Sequence, residues 1–203
     1  MKKIENPEVR DYLIKFVINQ TQKSELFTRV FGKSFARDRL ATNLQTVYTN
    51  EYSRTIGGYH PVNEASITLC TSDKNEEMLS VETLKQNKKK LTTMLHEAIH
   101  AILTKREEEC KKNKVKYATG ILEHYEDGTE LGRGANEGLT NWICELLGHE
   151  TETYKHETAF IKQLELAIGK TRVLKMGKGN IYKNISRQLH MTKGQTLAFL
   201  AKM

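Results

Sequence analysis

The sequence predicts an α+β fold in which a small sheet packs on a central helix and a second, glutamate-bearing helix lies beside it. Three observations lead there. Apolar residues recur at the i, i+3, i+4, i+7 spacing of an amphipathic helix around residues 9–17, 91–103 and 135–147. Between Leu44 and Cys70 that rhythm gives way to alternation and glycine-containing turns, the texture of short strands. At 203 residues the chain suits one domain with a sizeable core, taken here as residues 1–203 with a basic C-terminal segment over 166–203.

Val9, Tyr12, Leu13, Phe16 and Val17 fall on one helical face, and Leu26, Val30 and Phe31 mark another short helical segment; the aromatics read as core residues. Gln45-Thr46-Val47-Tyr48-Thr49 is β-prone, Gly57-Gly58-Tyr59-His60-Pro61 reads as a turn with His60 on the surface, and Ala65–Cys70 reads as the last strand of the sheet. Ser80 is placed to cap the approach to the central helix, with Glu82 in a position favourable to the dipole. Lys88, Lys89 and Lys90 read as a solvated face. The charge-dense run 105–118 reads as an exposed helix end and a loop, and 119–134, with Gly120, Gly128, Gly132 and Gly134, as an irregular connection. Ala135, Leu139, Trp142, Ile143, Leu146 and Leu147 form the next apolar stripe, and Gly148 is a natural stop.

Composition excludes several classes. With 28% charged residues and no apolar run near the roughly 20 residues needed to cross a bilayer, a soluble protein is expected. The start carries Lys2 and Lys3, but Glu5, Glu8, Arg10 and Asp11 interrupt any apolar stretch behind them, so no secretory signal is read. Cys70, Cys110 and Cys144 are odd in number, far apart and in no C-x-x-C pair. That pattern favours reduced thiols and a cytoplasmic location over a zinc ribbon or a disulfide framework.

The chemistry is concentrated in His96-Glu97-Ala98-Ile99-His100. Two histidines four residues apart on a helix project to the same side, so both imidazoles can reach one metal ion. Glu97 lies beside that position, within reach of a proton on bound water. Leu91, Met94, Leu95, Ala98, Ile99, Ile102 and Leu103 form the apolar stripe, and steps of about 100° put His96 and His100 away from its centre. A random ordering of this composition would contain the pattern roughly 2–3% of the time, so the context has to carry the reading.

Context comes from the second helix. Glu137, Thr140, Asn141 and Cys144 lie opposite its apolar stripe. Two histidines and one glutamate are a good zinc set that leaves a fourth position for water, and Asn141, one turn beyond Glu137, can orient a ligand through its amide oxygen. The competing third ligand is His124, in Ile121-Leu122-Glu123-His124-Tyr125; its loop would need ordering first, and Glu137 is preferred.

His96-Glu97-Ala98-Ile99-His100 followed by Asn136-Glu137-Gly138 resembles the gluzincin group of zinc metallopeptidases over roughly residues 60–148. The resemblance implies a zincin-like fold, Zn²⁺ bound by His96, His100 and Glu137, and Glu97 as general base in the hydrolysis of a peptide or protein substrate. Several members carry an aspartate where this chain has Asn141. A ligand set with His124 would point to a different zincin branch, one that includes DNA-associated metallopeptidases. The strand near residues 65–70 is expected to pair with an extended substrate, and Tyr125, Tyr154 and His156 are the candidate donors to an oxyanion.

From Leu166 onward there is no acidic residue but eight basic ones, Lys170, Arg172, Lys175, Lys178, Lys183, Arg187, Lys193 and Lys202, against a formal net charge of +7 for the whole chain. Such a segment is either a solvated helical face, with Ile181, Ile185, Leu189, Leu197, Phe199 and Leu200 inward, or a contact for nucleic acid, an acidic protein or an anionic membrane surface. Two other classes therefore stand beside the peptidase: a regulatory protein with an inert zinc site, and a nucleic-acid-binding protein with a structural one.

Overall fold

The computed structural model describes residues 4–50, 57–61, 65–70, 79–106, 114–178 and 181–201. After a two-residue strand, β1 (Ile4–Glu5), the Asn6 side chain accepts the Val9 N–H and Pro7 opens helix α1 (Pro7–Lys23). Val9, Leu13 and Val17 are fully buried, the stripe that the spacing predicts. Ser24 caps α2 (Glu25–Phe31), which adds Phe27 and Val30 to the core, and α3 (Phe35–Asn43) adds Ala36 and Leu40.

The first sheet has the strand order β1-β2-β4-β3, where β2 is Thr46–Asn50, β3 is Gly57–His60 and β4 is Ser66–Cys70. Strand β2 runs parallel to β4, and β3 antiparallel to it with Tyr59 opposite Ile67. Two sequence expectations change here. Gly57–His60 is a strand rather than a turn, because pairing along β4 overrides the weak strand propensity of the two glycines. Strand β4 has partners on both sides, so no edge of it is open to a substrate; β1 and β3 are the outer strands of this sheet.

The approach to the central helix is also divided. Ser80 caps a separate short helix, α4 (Val81–Gln86), with Thr83 completing the capping box. The central helix α5 (Lys88–Leu103) has its own cap, Asn87, whose side chain accepts the Lys90 N–H at 3.0 Å. It stops where Thr104 turns extended, and Asn43 satisfies its end by donating to the Ala101 carbonyl at 2.9 Å and the Thr104 carbonyl at 3.0 Å.

Residues 104–106 and 114–131 form a second sheet where the sequence reads as loop and irregular connection. Strands β5 (Thr104–Arg106), β6 (Val115–Thr119), β7 (Leu122–Tyr125) and β8 (Glu130–Leu131) form an antiparallel sheet in that order. They are at most five residues long, and their charged side chains hide any alternation, while Val115, Ala118, Ile121 and Leu122 supply the buried side. The charged residues 107–112, Cys110 among them, lie outside the described residues, as do Lys2 and Lys3. Cys144 is a free, fully buried thiol.

Helix α6 (Arg133–Leu146) and helix α7 (Lys155–Ile168) then cross closely at Gly138, where any Cβ would overlap the Glu157 carbonyl. One contiguous core joins α1, α5, α6, both sheets and the C-terminal helices α8 (Lys170–Met176), α9 (Ile181–Leu189) and α10 (Lys193–Ala201). In the basic segment, Val173, Leu174, Met176 and Ile185 are buried, Leu189 and Phe199 pack against the core, and Arg172, Lys175, Lys178 and Arg187 face outward. The side chains of Ile181, Leu197 and Leu200 lie outside the described residues. No described helix is long and apolar enough to cross a membrane.

Candidate metal centre

Helix α5 buries Met94, Leu95, Ala98, Ile99 and Ile102 on one side and turns His96 and His100 toward α6. Helix α6 buries its apolar stripe too and returns Glu137 to meet them. The nitrogen His96 Nε2 lies 2.9 Å from His100 Nε2 and 3.0 Å from Glu137 Oε2, and His100 Nε2 lies 3.3 Å from the same oxygen. Ligand atoms ~2.0–2.1 Å from a tetrahedral ion are separated by about 3.3 Å, so these three atoms already stand close to the spacing of three corners of a zinc site. Two imidazoles and a carboxylate are a ligand set that zinc accepts; the group is compatible with a zinc site.

The other ring nitrogens are held from behind. His96 Nδ1 donates to Asn141 Oδ1 at 2.6 Å, which fixes the tautomer that turns the Nε2 lone pair toward the cluster. Asn141 is fully buried, and its amide nitrogen donates to the Thr153 carbonyl at 2.6 Å. His100 Nδ1 lies 3.1 Å from Asn136 Nδ2 and 3.3 Å from Thr140 Oγ1. Since Asn136 Oδ1 accepts the Ile121 N–H, the Thr140 hydroxyl oxygen is the acceptor in reach when Nδ1 carries the hydrogen. Gly120 makes this packing possible: with φ of 54° it turns β6 into β7 so tightly that a Cβ would meet Asn136 Oδ1 at 2.6 Å.

A cleft of ≈ 220 Å³ opens over the cluster, lined by Gly58 and Tyr59 of β3, Glu97 and His100, Tyr117 and Thr119 of the second sheet, Glu130, Arg133, Glu137 and Tyr154 among others. Within it, burial raises the Glu97 carboxyl to about 7; His96 and a hydrogen bond from the Tyr59 backbone oppose that rise, and Glu137 adds to it. Burial pushes Glu137 the same way, but hydrogen bonds and charge from His100 and His96 outweigh it and hold this carboxylate well below the usual range. Tyr154 sits at the mouth with its ring stacked on His96, centroids 5.9 Å apart and planes 17° apart. Its backbone is left-handed at φ 51°, held by Thr158, whose N–H and hydroxyl both reach the Tyr154 carbonyl. Burial and the two glutamates raise its phenol above the ordinary value.

No protein-family model matches the chain, and no curated protein or solved structure matches it either.

The structure therefore brings together His96, Glu97, His100, Glu137 and Asn141. It sets His124 elsewhere: on β7, with Nδ1 3.2 Å from Glu130 Oε1 and its ring stacked on Tyr117 at 4.8 Å, apart from the metal-binding group. Of the three candidate donors, Tyr154 alone lines the cleft; the Tyr125 hydroxyl donates to Glu123 at 2.8 Å, and His156 is exposed at the start of α7. Sequence reasoning missed Tyr59, hidden in an apparent turn, and the support given to His100 by Asn136 and Thr140. The signal for the last two was present: Asn136 adjoins Glu137 in the sequence, and Thr140 shares its helical face.

Proposed function

We propose that this protein is a zinc-dependent peptidase of the gluzincin type, with a zincin-like arrangement of sheet and paired helices. The observation that carries the reading is the convergence of His96 Nε2, His100 Nε2 and Glu137 Oε2 beneath an open cleft, with Glu97 beside them. Three protein ligands and an open side are the pattern of a catalytic zinc; a structural zinc is closed by four. Among the described residues, that contrast favours an enzyme over a protein with a structural site.

His96, His100 and Glu137 would hold the ion, which when bound supplies Lewis acidity and a water whose pKa falls to about 7. Glu97 is a base, not a ligand. Burial keeps its affinity for a proton high, and its carboxylate takes the proton from the attacking water and passes it to the leaving amine. Tyr154, stacked at the mouth, donates its phenolic hydrogen to the developing oxyanion. An extended peptide lies along the wall of the cleft that β3 forms with Gly58 and Tyr59, in place of β4.

The test is to measure zinc content and the hydrolysis of a mixed peptide library by the purified chain, before and after chelation and after zinc is restored. Hydrolysis that follows zinc occupancy is expected. Stoichiometric zinc with no hydrolysis of any peptide would favour the regulatory reading.

A further inference from the structure

The wall of the cleft formed by the second sheet and the start of α6 holds a feature that the hydrolytic reading does not use. Arg133 lies one helical turn before Glu137, so the two side chains share a face of α6, with Cβ atoms about 5–6 Å apart. Among the described lining residues it is the one lysine or arginine, set against the carboxylates of Glu97, Glu130 and Glu137.

Its guanidinium is anchored by one edge only. The Nε–H donates to Glu130 Oε2 at 2.5 Å, while Glu130 Oε1 lies 3.2 Å from His124 Nδ1, and His124 stacks on Tyr117. That chain of contacts ties the arginine to the second sheet and fixes the direction in which its fork points. Nη1 and Nη2 bond to no described residue, and the side chain is 70% exposed. A guanidinium held through Nε presents its Nη pair end-on, the geometry that takes a carboxylate through two parallel hydrogen bonds. The other cleft carboxylates are engaged: Glu137 is drawn into the histidine pair, and Glu97 stands over the reacting water in the peptidase reading.

We propose that Arg133 receives a carboxylate of the bound peptide, so that the preferred substrates carry a negative charge close to the scissile bond. This deepens the peptidase reading and rests on it. The carboxylate has two sources, the C-terminus of a short peptide or an acidic side chain, and both present the same chemistry to the fork. His124, Tyr117 and Glu130 then act as positioning residues for the arginine, which gives His124 a role apart from the His96, His100 and Glu137 group.

The experiment uses the full zinc-loaded chain carrying Glu97→Gln, so that binding is read without turnover. Three pools of N-acetylated random tetrapeptides are compared by competition with a fluorescent peptide. One pool has free C-terminal carboxylates, one is amidated and lacks acidic residues, and one is amidated with Asp or Glu at the third position. At least one carboxylate pool should bind about tenfold tighter than the neutral amide pool, and added salt should reduce that advantage. Arg133→Ala should cut the advantage to within about twofold, Arg133→Lys should retain part of it, and zinc content should not change in either. The pool that shows the advantage identifies the source of the carboxylate. Equal binding of all three pools, no binding of any, or an advantage that survives Arg133→Ala overturns the proposal. Hydrolysis of the same pools by the chain with Glu97 intact is measured alongside, so that failure of the peptidase reading is seen separately.

Discussion

Asn141 grips His96 with one end of its amide and the backbone before Tyr154 with the other: Oδ1 accepts from His96 Nδ1 at 2.6 Å, and Nδ2 donates to the Thr153 carbonyl at 2.6 Å. An aspartate could do the first and not the second, because it is an acceptor only when ionised. The Asn141→Asp variant should keep zinc at least as tightly, since a carboxylate makes His96 a stronger ligand, yet hydrolyse peptides about tenfold or more slowly as two acceptors repel at Thr153 and Tyr154 shifts. The Asn141→Ala variant should lose about 10–100-fold in zinc affinity or activity. Chelator competition and initial rates measure the two effects. If the aspartate variant matches the native protein in both, the link to Tyr154 has no functional weight.

The third ligand can be decided by metal content alone. Glu137 stands within 3.0 Å of His96 Nε2 and 3.3 Å of His100 Nε2, whereas His124 is committed to Glu130 and Tyr117. Glu137→Ala should therefore empty the site on dialysis against a mild chelator, with affinity falling by orders of magnitude. His124→Ala should retain its zinc. The opposite result would remove Glu137 from the ligand set and the gluzincin reading with it.

What the sequence disclosed and what it hid divide along a physical line. The helices α1, α5 and α6 were legible because each buries a stripe at a fixed period, and His96 and His100 because helical spacing determines which side chains share a face; Glu137, on another helix, was preferred to His124 for its two-faced helix and its Asn-Glu-Gly context. Asn141 was legible for the same reason. The second sheet was not, since strands of two to five residues with charged outer faces carry too few buried positions to show a period. Strand β3 was hidden by Gly57 and Gly58, which look like a turn until β4 pairs with them. Both failures concern the walls of the cleft. The residues that would meet the metal were readable, as was Tyr154 as a candidate donor, while the strands that wall the cleft were not, because long-range pairing positions them.

Glu97 separates binding from chemistry. It is not one of the three grouped ligands, so Glu97→Gln should retain stoichiometric zinc while hydrolysis falls by about 10²–10⁴-fold or more, the usual cost of removing a general base. Zinc is counted by atomic absorption and rates are taken under saturating peptide. Full activity in this variant would rule out the proton transfers assigned to it.

The last prediction concerns pH and the metal-free protein. Burial moves Glu97 from its ordinary 4.5 up to about 7 in the fold. Below about pH 4.5 this carboxyl is protonated in the folded and unfolded chains alike and contributes nothing to the pH dependence. Above about pH 7 it is ionised in both, and the fold bears the whole cost of a desolvated charge, so stability falls as pH rises between those limits. Glu137 has the opposite sign. Held low by His100 and His96 despite its burial, it contributes stability that is present above its ordinary 4.5 and lost as pH falls toward its folded value, so its window lies on the acid side. Other groups titrate between pH 4.5 and 7, and the comparison with Glu97→Gln removes them. In chelator, the melting temperature of the variant should therefore gain on that of the native chain steadily across this window. With zinc bound, a divalent charge beside Glu97 favours its ionised form, and the difference between the two curves should flatten. A difference that stays constant with pH in chelator would mean that Glu97 is solvated in the metal-free protein, and that burial does not set its affinity for a proton.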